Sequence, residues 1–296
     1  MSKIVCFGEV LWDIFPTHKK IGGAPLNVAL RLQTFENEVA LISCLGDDKL
    51  GNELLLELQK YRISSLYIQK IKTYKTSTVS ISLDKNGSAS YLINHPCAWD
   101  NIQINDKLNT LVKSSEAFIF GSLIARDSTS KNTLLTLLNY SKFSVFDVNL
   151  RPPHYDINSI QVLMNAANFI KFNDNELKEI SASLGFNGKS IVQTILFIAN
   201  KTNTTSIAVT LGSNGAILFY DNLFFYNKGY RVKVADTVGS GDSFLATLID
   251  ALLKKVAPQK AIDTACAVGA LVAKNKGANP LISDTEINAI MNQDVP

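Results

Sequence analysis

Histidine is scarce in this chain: only His18, His95 and His154 occur, and none is joined to a serine or cysteine motif of the hydrolase kind. The four cysteines, Cys6, Cys44, Cys97 and Cys266, are scattered without a Cys-x-x-Cys pair, which argues against a zinc site or a disulfide framework and for reduced thiols. Net charge is only +3, too little for nucleic acid or an anionic membrane to be the main partner. No apolar run approaches the roughly 20 residues of a membrane span. The short apolar stretch after Met1-Ser2-Lys3 is too brief for a secretory core. A cytoplasmic location is therefore expected. Low-complexity linkers and internal repeats are missing as well. What is there is ordinary for a globular protein, 46% hydrophobic and 19% charged. A single domain over residues 1–296 is expected, with a lid formed from about 12–20 and 76–96.

The pattern along the chain is mostly strand followed by helix. Strands are expected at 3–8, 39–45, 117–120, 144–148, 169–172 and 207–210. Helices are expected at 25–33, 48–59, 129–139, 159–167, 174–184 and 190–200, with closing helices at 242–256 and 259–274. The stretch from 9 to 20 reads as mixed. Such alternation predicts an α/β fold, a central mostly parallel sheet with helices on both faces. Two segments depart from it. Residues 77–83 and 88–93 alternate polar and apolar around Asp84-Lys85-Asn86-Gly87, a hairpin whose strands suit a sheet with one wet face. A small sheet projecting from the body, able to cover a ligand, is the reading. A second hairpin is expected at 216–227 around Asp221-Asn222.

The most informative stretch is Asp236-Thr237-Val238-Gly239-Ser240-Gly241-Asp242-Ser243-Phe244. Two glycines permit a tight turn with bare amides, and Phe244, Leu245, Leu248, Ile249 and Leu252 follow at helical spacing. A glycine turn opening a helix is an anion site, because unpaired N–H groups and the helix dipole point the same way. Asp242 lies at that end, where a carboxylate can accept a proton. The same letters also describe an ordinary loop and N-cap. It is not the nucleotide loop with Gly-Lys-Ser/Thr.

Other polar motifs fall where strands end, the edge at which open α/β sheets collect ligands. They are Asp13, Gly22-Gly23-Ala24-Pro25-Leu26-Asn27, Gly46-Asp47, Asp147-Val148-Asn149-Leu150-Arg151, Asn173-Asp174-Asn175-Glu176 and Thr210-Leu211-Gly212-Ser213-Asn214-Gly215. Each alone is as well explained by a cap or turn.

Gly22-Gly23-Ala24-Pro25-Leu26-Asn27-Val28-Ala29, with the 236–244 stretch, resembles the two signatures of the PfkB (ribokinase-like) carbohydrate kinases. The likeness runs through the whole chain, and Gly8-Glu9-Val10-Leu11-Trp12-Asp13-Ile14-Phe15-Pro16 and Pro96-Cys97-Ala98-Trp99-Asp100 are most similar to bacterial fructokinases. Ser240 replaces a common alanine, and Leu26 stands where smaller residues are frequent. The resemblance implies a ribokinase-like fold with a β lid, and ATP-dependent phosphorylation of a primary sugar hydroxyl.

It also implies roles. Asp242 would be the base, with the amides of Gly239, Ser240 and Gly241 stabilising the transferring phosphoryl group. Asp13, Gly22, Gly23, Asn27, Asn149 and Arg151 would hold the sugar. Asn173 and Glu176 match an Asn-x-x-Glu element that resembles a water-mediated magnesium site. Lys171 beside it would meet a phosphate, or else solvent. Thr210, Gly212 and Gly215 resemble a nucleotide loop, and Gly277 lies where relatives bind adenine. Asp236 and Val238 match the cation ligands of relatives that use potassium, which stays open here. Expected partners are the sugar and ATP. The lid residues Val79, Ile81 and Leu83 could pair with a second lid to give a homodimer, or pack on their own domain.

Overall fold

The computed structural model describes residues 1–83 and 89–292. Its strands are β1 (Lys3–Phe7), β2 (Leu11–Ile14), β3 (Lys19–Gly22), β4 (Glu38–Gly46), β5 (Ile68–Ile71), β6 (Thr78–Leu83), β7 (Ala89–Ile93), β8 (Ala117–Gly121), β9 (Ser144–Asp147), β10 (Phe169–Asn173), β11 (Ser206–Thr210), β12 (Ala216–Tyr220) and β13 (Leu223–Asn227). Its α-helices are α1 (Ala24–Thr34), α2 (Lys49–Lys60), α3 (Asp106–Ser114), α4 (Ser128–Leu138), α5 (Ile157–Asn165), α6 (Asp174–Ser183), α7 (Ile191–Thr202), α8 (Ser240–Leu253), α9 (Pro258–Lys274) and α10 (Asp284–Met291).

Nine strands form one sheet in the order β13-β12-β11-β10-β9-β8-β1-β4-β5. The run from β11 to β5 is parallel, and β12 and β13 close one edge antiparallel. Strand residues alternate faces, and here both faces are apolar. Val5 and Phe7 of β1 enter a core with α4, α5 and α7, whereas Ile4 and Cys6 enter a second core with α1, α8 and α9. Double coverage explains why these strands read as continuous apolar runs.

The remaining strands form a separate sheet, β3-β2-β6-β7. β2 pairs antiparallel with β3 and parallel with β6. The stretch read as mixed, 9–20, thus supplies β2 and part of β3, and Asp13 sits within a lid strand rather than at a body strand's end. Trp12 Nε1 donates to Leu50 O at 3.0 Å and moors this sheet to α2. The expected hairpin tip at Asp84–Gly87 lies outside the described residues, as do the side chains of Ile81 and Leu83. Three elements were not anticipated: β5, α3 and α10.

Helices α1 and α8 carry the two glycine motifs and are locked together. Buried Arg31 donates from Nε to Ser243 Oγ at 3.2 Å and from Nη2 to Pro280 O at 2.9 Å. Asn37, just past α1, donates to Asp250 Oδ1 at 2.6 Å. The helix starts are therefore fixed relative to each other.

Candidate active site

Helix α8 begins at a left-handed N-cap, Gly239, with φ of 78°. A Cβ there would lie 2.5 Å from Ala278 Cα, so glycine is required on both steric and conformational grounds. The turn presents amides as expected, with one difference. Ser240 N–H donates to Thr237 O at 3.2 Å, and Ser240 Oγ to Gly269 O at 2.9 Å. The amides of Gly239, Gly241 and Asp242 have no protein acceptor among the described residues. These three, and not Ser240, are the donors an anion would meet. Gly239→Ala is expected to raise the Kd for a nucleotide at least tenfold by titration calorimetry, because a strain of about 1–3 kcal/mol falls on this turn.

Asp242, in the first turn of α8, is half-buried, and its Oδ2 accepts from Asn27 Nδ2 at 2.8 Å. Burial pushes its carboxyl up to about 6; nearby Asp147 adds to this, while Asn27, Lys171 and Arg151 oppose it. Asn27 is used at both ends, since its Oδ1 accepts from Asn279 Nδ2 at 2.8 Å. That chain of amides aims Asp242 and joins both signatures.

Lys171 is not exposed. It is buried on β10 and donates to Asp147 Oδ1 on β9 at 2.9 Å. Its Nζ lies 3.3 Å from where a Cβ on Gly241 would sit, so the ammonium fronts the glycine turn. Burial lowers its pKa, but Asp147, Glu176 and Asp242 outweigh burial and the net direction is upward, keeping it charged.

Asn173 and Glu176 form a capping box on α6: Glu176 N donates to Asn173 Oδ1 at 2.8 Å and Asn173 N to Glu176 Oε2 at 2.9 Å. Glu176 Oε1 also accepts from Leu150 N at 3.0 Å, tying α6 to the Asn149–Arg151 loop. Burial raises the Glu176 pKa, Lys171 opposing. Each carboxylate oxygen retains a lone pair beyond its amide bond, which suits a hydrated cation better than a directly bound one.

On the lid side, Asp13 Oδ2 packs against the bare Cα face of Gly22, and Gly23 packs likewise against Glu9 O; a Cβ at either glycine would collide. Burial pushes Asp13 up to about 6, with Lys20, its partner across β2 and β3, pulling down. Asn149 has a left-handed φ of 37°, and exposed Arg151 donates to Leu150 O at 3.0 Å.

The residues expected to face the nucleotide begin beside this group, Thr210 lying in register with Asn173 across β10 and β11. Thr210 Oγ1 donates to Phe172 O at 3.4 Å, at the end of β11. Gly212 and Gly215 have φ of 58° and 85°, and Gly215 packs against Asn227 O. Asp236 accepts from Val238 N at 3.0 Å and from Gly277 N at 3.1 Å, joining the glycine turn to the 276–280 loop. Its carboxylate shapes that bend.

Two acids of the site carry no signal in the linear sequence. Glu9, 5% exposed, accepts Ala24 N–H at 3.2 Å through Oε1 and caps α1 from outside, while its Oε2 is buried without a partner among the described residues. Burial pushes it up to about 7. Asp147 stood on the strand-end rim without a role. The signal for it is a pairing across strands that linear spacing conceals. His95, Asp100 and Asp127 bring ligand atoms within 4.8 Å of one another. Asp100, however, is already gripped by Arg126 at 2.7 and 2.8 Å, which makes this an ion-pair cluster.

A sheet with a lid, and an anion turn beside an acid, define a ribokinase-like α/β protein. The chain belongs to the pfkB family of carbohydrate kinases, whose family model matches residues 1–285. An uncharacterized sugar kinase of Pyrococcus horikoshii is 32% identical over 162 residues, covering 50% of this chain and 52% of that protein. A fructokinase of Solanum tuberosum is 28% identical over 197 residues, 61% of this chain and 60% of that one. The matched segment thus spans about half to three fifths of these curated relatives. The Pyrococcus horikoshii structure superimposes with a TM-score of 0.82 at 25% identity, covering 98% of this chain and 100% of that one. A double mutant of Vibrio cholerae fructokinase, with fructose, ADP and potassium bound, gives 0.83 at 23% identity, with 98% of each chain covered. Among the described residues no helix is long and apolar enough to cross a membrane.

Proposed function

We propose that this chain transfers the γ-phosphoryl group of ATP to a primary hydroxyl of a neutral sugar, and that fructose, giving fructose 6-phosphate, is the preferred acceptor. One observation carries the reading: Asp242 is held by Asn27 at 2.8 Å in the first turn of a helix whose glycine N-terminus offers three unpartnered amides. A sugar hydroxyl becomes a competent nucleophile when its proton has somewhere to go as the O–P bond forms. Asp242 accepts that proton. The Gly239, Gly241 and Asp242 amides and Lys171 stabilise charge on the migrating group. Asp13 accepts sugar hydroxyls, with Asn149 and Arg151 as further polar contacts and Gly22–Gly23 admitting the ring closely.

Glu176 and Asn173 would be the residues to hold magnesium in this reading. Magnesium, when bound, neutralises phosphate charge. Potassium at the 236–238 bend is the matching proposal, supported by the potassium bound in the Vibrio cholerae fructokinase. The four-stranded lid would close over the sugar.

Fructose is favoured by the fructokinases among the relatives. A sugar acid would call for a cation against its carboxylate, and on the acceptor side exposed Arg151 is the motif residue that could supply one. A coupled ADP-release assay with MgATP tests this across fructose, ribose, nucleosides and sugar acids. Fructose is expected to give the highest kcat/KM, at least tenfold above ribose. Faster turnover of ribose or a sugar acid would replace fructose. Tight ATP binding with no ADP release from any sugar would indicate a sensor instead.

A further inference from the structure

Asp147 ends β9 in the middle of the sheet, 3% exposed. It faces Lys171 in register across β10, and Oδ1 takes the ammonium at 2.9 Å. Oδ2 is buried with no hydrogen-bond partner among the described residues. As a means of holding two strands this is poor: a buried ion pair gives little net stability over a well-packed apolar pair, and an oxygen left unpaired makes it worse. The pair makes sense through where it points. Lys171 Nζ stands 3.3 Å from the Cβ position of Gly241, in front of the amides of the glycine turn.

The charged groups around Asp242 come from four places. Glu9 lies on the β1–β2 connection, Asp147 on β9, Arg151 on the loop after β9, and Lys171 on β10. Asn27 of α1 is the neutral hydrogen-bond partner. Two cations beside one carboxylate make it a weak base, because they favour its charged form. A lysine free to move would go further and pair with Asp242 directly, quenching it.

We propose that Asp147 is a positioning residue of the phosphoryl-transfer site, acting through Lys171: it pins that ammonium against the Gly239–Gly241 turn and offsets its charge at Asp242. The proposal rests on the kinase reading above. In this arrangement Lys171 faces the migrating phosphoryl group while Asp242 stays basic enough to receive the sugar's proton. Burial and Asp147 together raise Asp242 to about 6, in agreement with that role.

Asp147→Asn tests it, since the amide keeps an oxygen for Lys171 and loses the charge. In the ligand-free protein, the carboxyl 13C resonance of Asp242 is followed against pH by NMR. Its midpoint is expected to move down from about 6 by about one pH unit in Asp147→Asn. The acid limb of kcat/KM should move down with it, and KM for ATP should rise roughly tenfold as Lys171 loses its anchor. Adding Lys171→Met to Asp147→Asn should bring the midpoint back toward the wild-type value. This double variant carries no unpaired buried charge and serves also if the single variant folds poorly. It is then compared with Lys171→Met alone, whose midpoint should lie higher than that of the double variant. A purely structural Asp147 would lower kcat with the midpoint and limb unmoved, and that result overturns the proposal. If wild type transfers no phosphoryl group, the kinase reading falls. The ligand-free titration still decides whether Asp147 acts on Asp242.

Discussion

Asp242→Asn is expected to lower kcat by about 10³-fold, within the range that general-base catalysis supplies, while nucleotide binding by calorimetry stays within a fewfold of wild type. The asparagine keeps an oxygen for Asn27 Nδ2 and leaves the Gly239 and Gly241 amides in place. Only the proton acceptor is lost. The same residue sets a pH limb. A base must be unprotonated, so wild-type kcat/KM should hold above about 6, where the Asp242 carboxyl titrates, and fall tenfold per unit below it.

Stability should move the other way. The folded-state pKa of Asp242 lies above the ordinary carboxylate value, so the native state binds the proton more tightly than the unfolded chain. Its ionisation therefore costs stability as pH rises from about 4 through about 6. Above that window the neutral amide should leave Tm unchanged or raise it. A crippled enzyme with undiminished Tm separates a catalytic role from a structural one. Near wild-type kcat in Asp242→Asn would remove this residue as the base.

How much of this was legible in the sequence follows from what each element buries. β8, β9, β10 and β11 were readable because apolar cores press on both of their faces and leave unbroken apolar runs between turn residues. α3 was missed for the opposite reason. Over nine residues it buries only Leu108, Leu111 and Val112, too short a stripe to stand out. β2 and β3 span four residues each, carry Lys19 and Lys20, and owe their extended form to pairing within the lid sheet, an interaction between distant segments.

The site divides in the same way. Gly239, Gly241 and Asp242 are neighbours in the chain, so one helix start gathers them and the motif announces it. The sequence leaves Lys171 between phosphate and solvent because its partner is 24 residues away, and only the β9–β10 register brings the carboxylate and ammonium together. Glu9 was hidden similarly: nothing in its neighbours signals that the carboxylate caps α1 at Ala24. The Ser240 amide illustrates a finer limit. Its diversion to Thr237 O depends on the left-handed turn at Gly239, which composition permits but does not dictate.

Asp100→Ala is expected to be the most damaging change outside the glycine turn, and its effect falls on stability first. Asp100 and Arg126 have side chains 0% and 3% exposed, joined at 2.7 Å. Asp100 Oδ2 also accepts from Cys97 N at 2.8 Å, closing the short turn at 98–101. Removing one member of a buried pair strands the other charge, at a cost of about 3–5 kcal/mol. For a chain of this size that corresponds to a Tm lower by roughly 10 °C in calorimetry. Arg126→Met added to Asp100→Ala should restore part of the loss, because no buried charge remains, and the double-mutant cycle measures the coupling. A second consequence follows from what Arg126 holds. Its Nη2 donates to Asn94 O at 2.8 Å, and its guanidinium lies 4.0 Å over the Trp99 ring, so it clamps the segment by which β7 leaves the lid sheet. In Asp100→Ala protein that remains folded at low temperature, the lid loses this mooring while Asp242, Asn27 and the glycine turn are untouched. KM for the sugar should then rise more than kcat falls. An unchanged Tm together with an unchanged KM would show that the pair carries neither load.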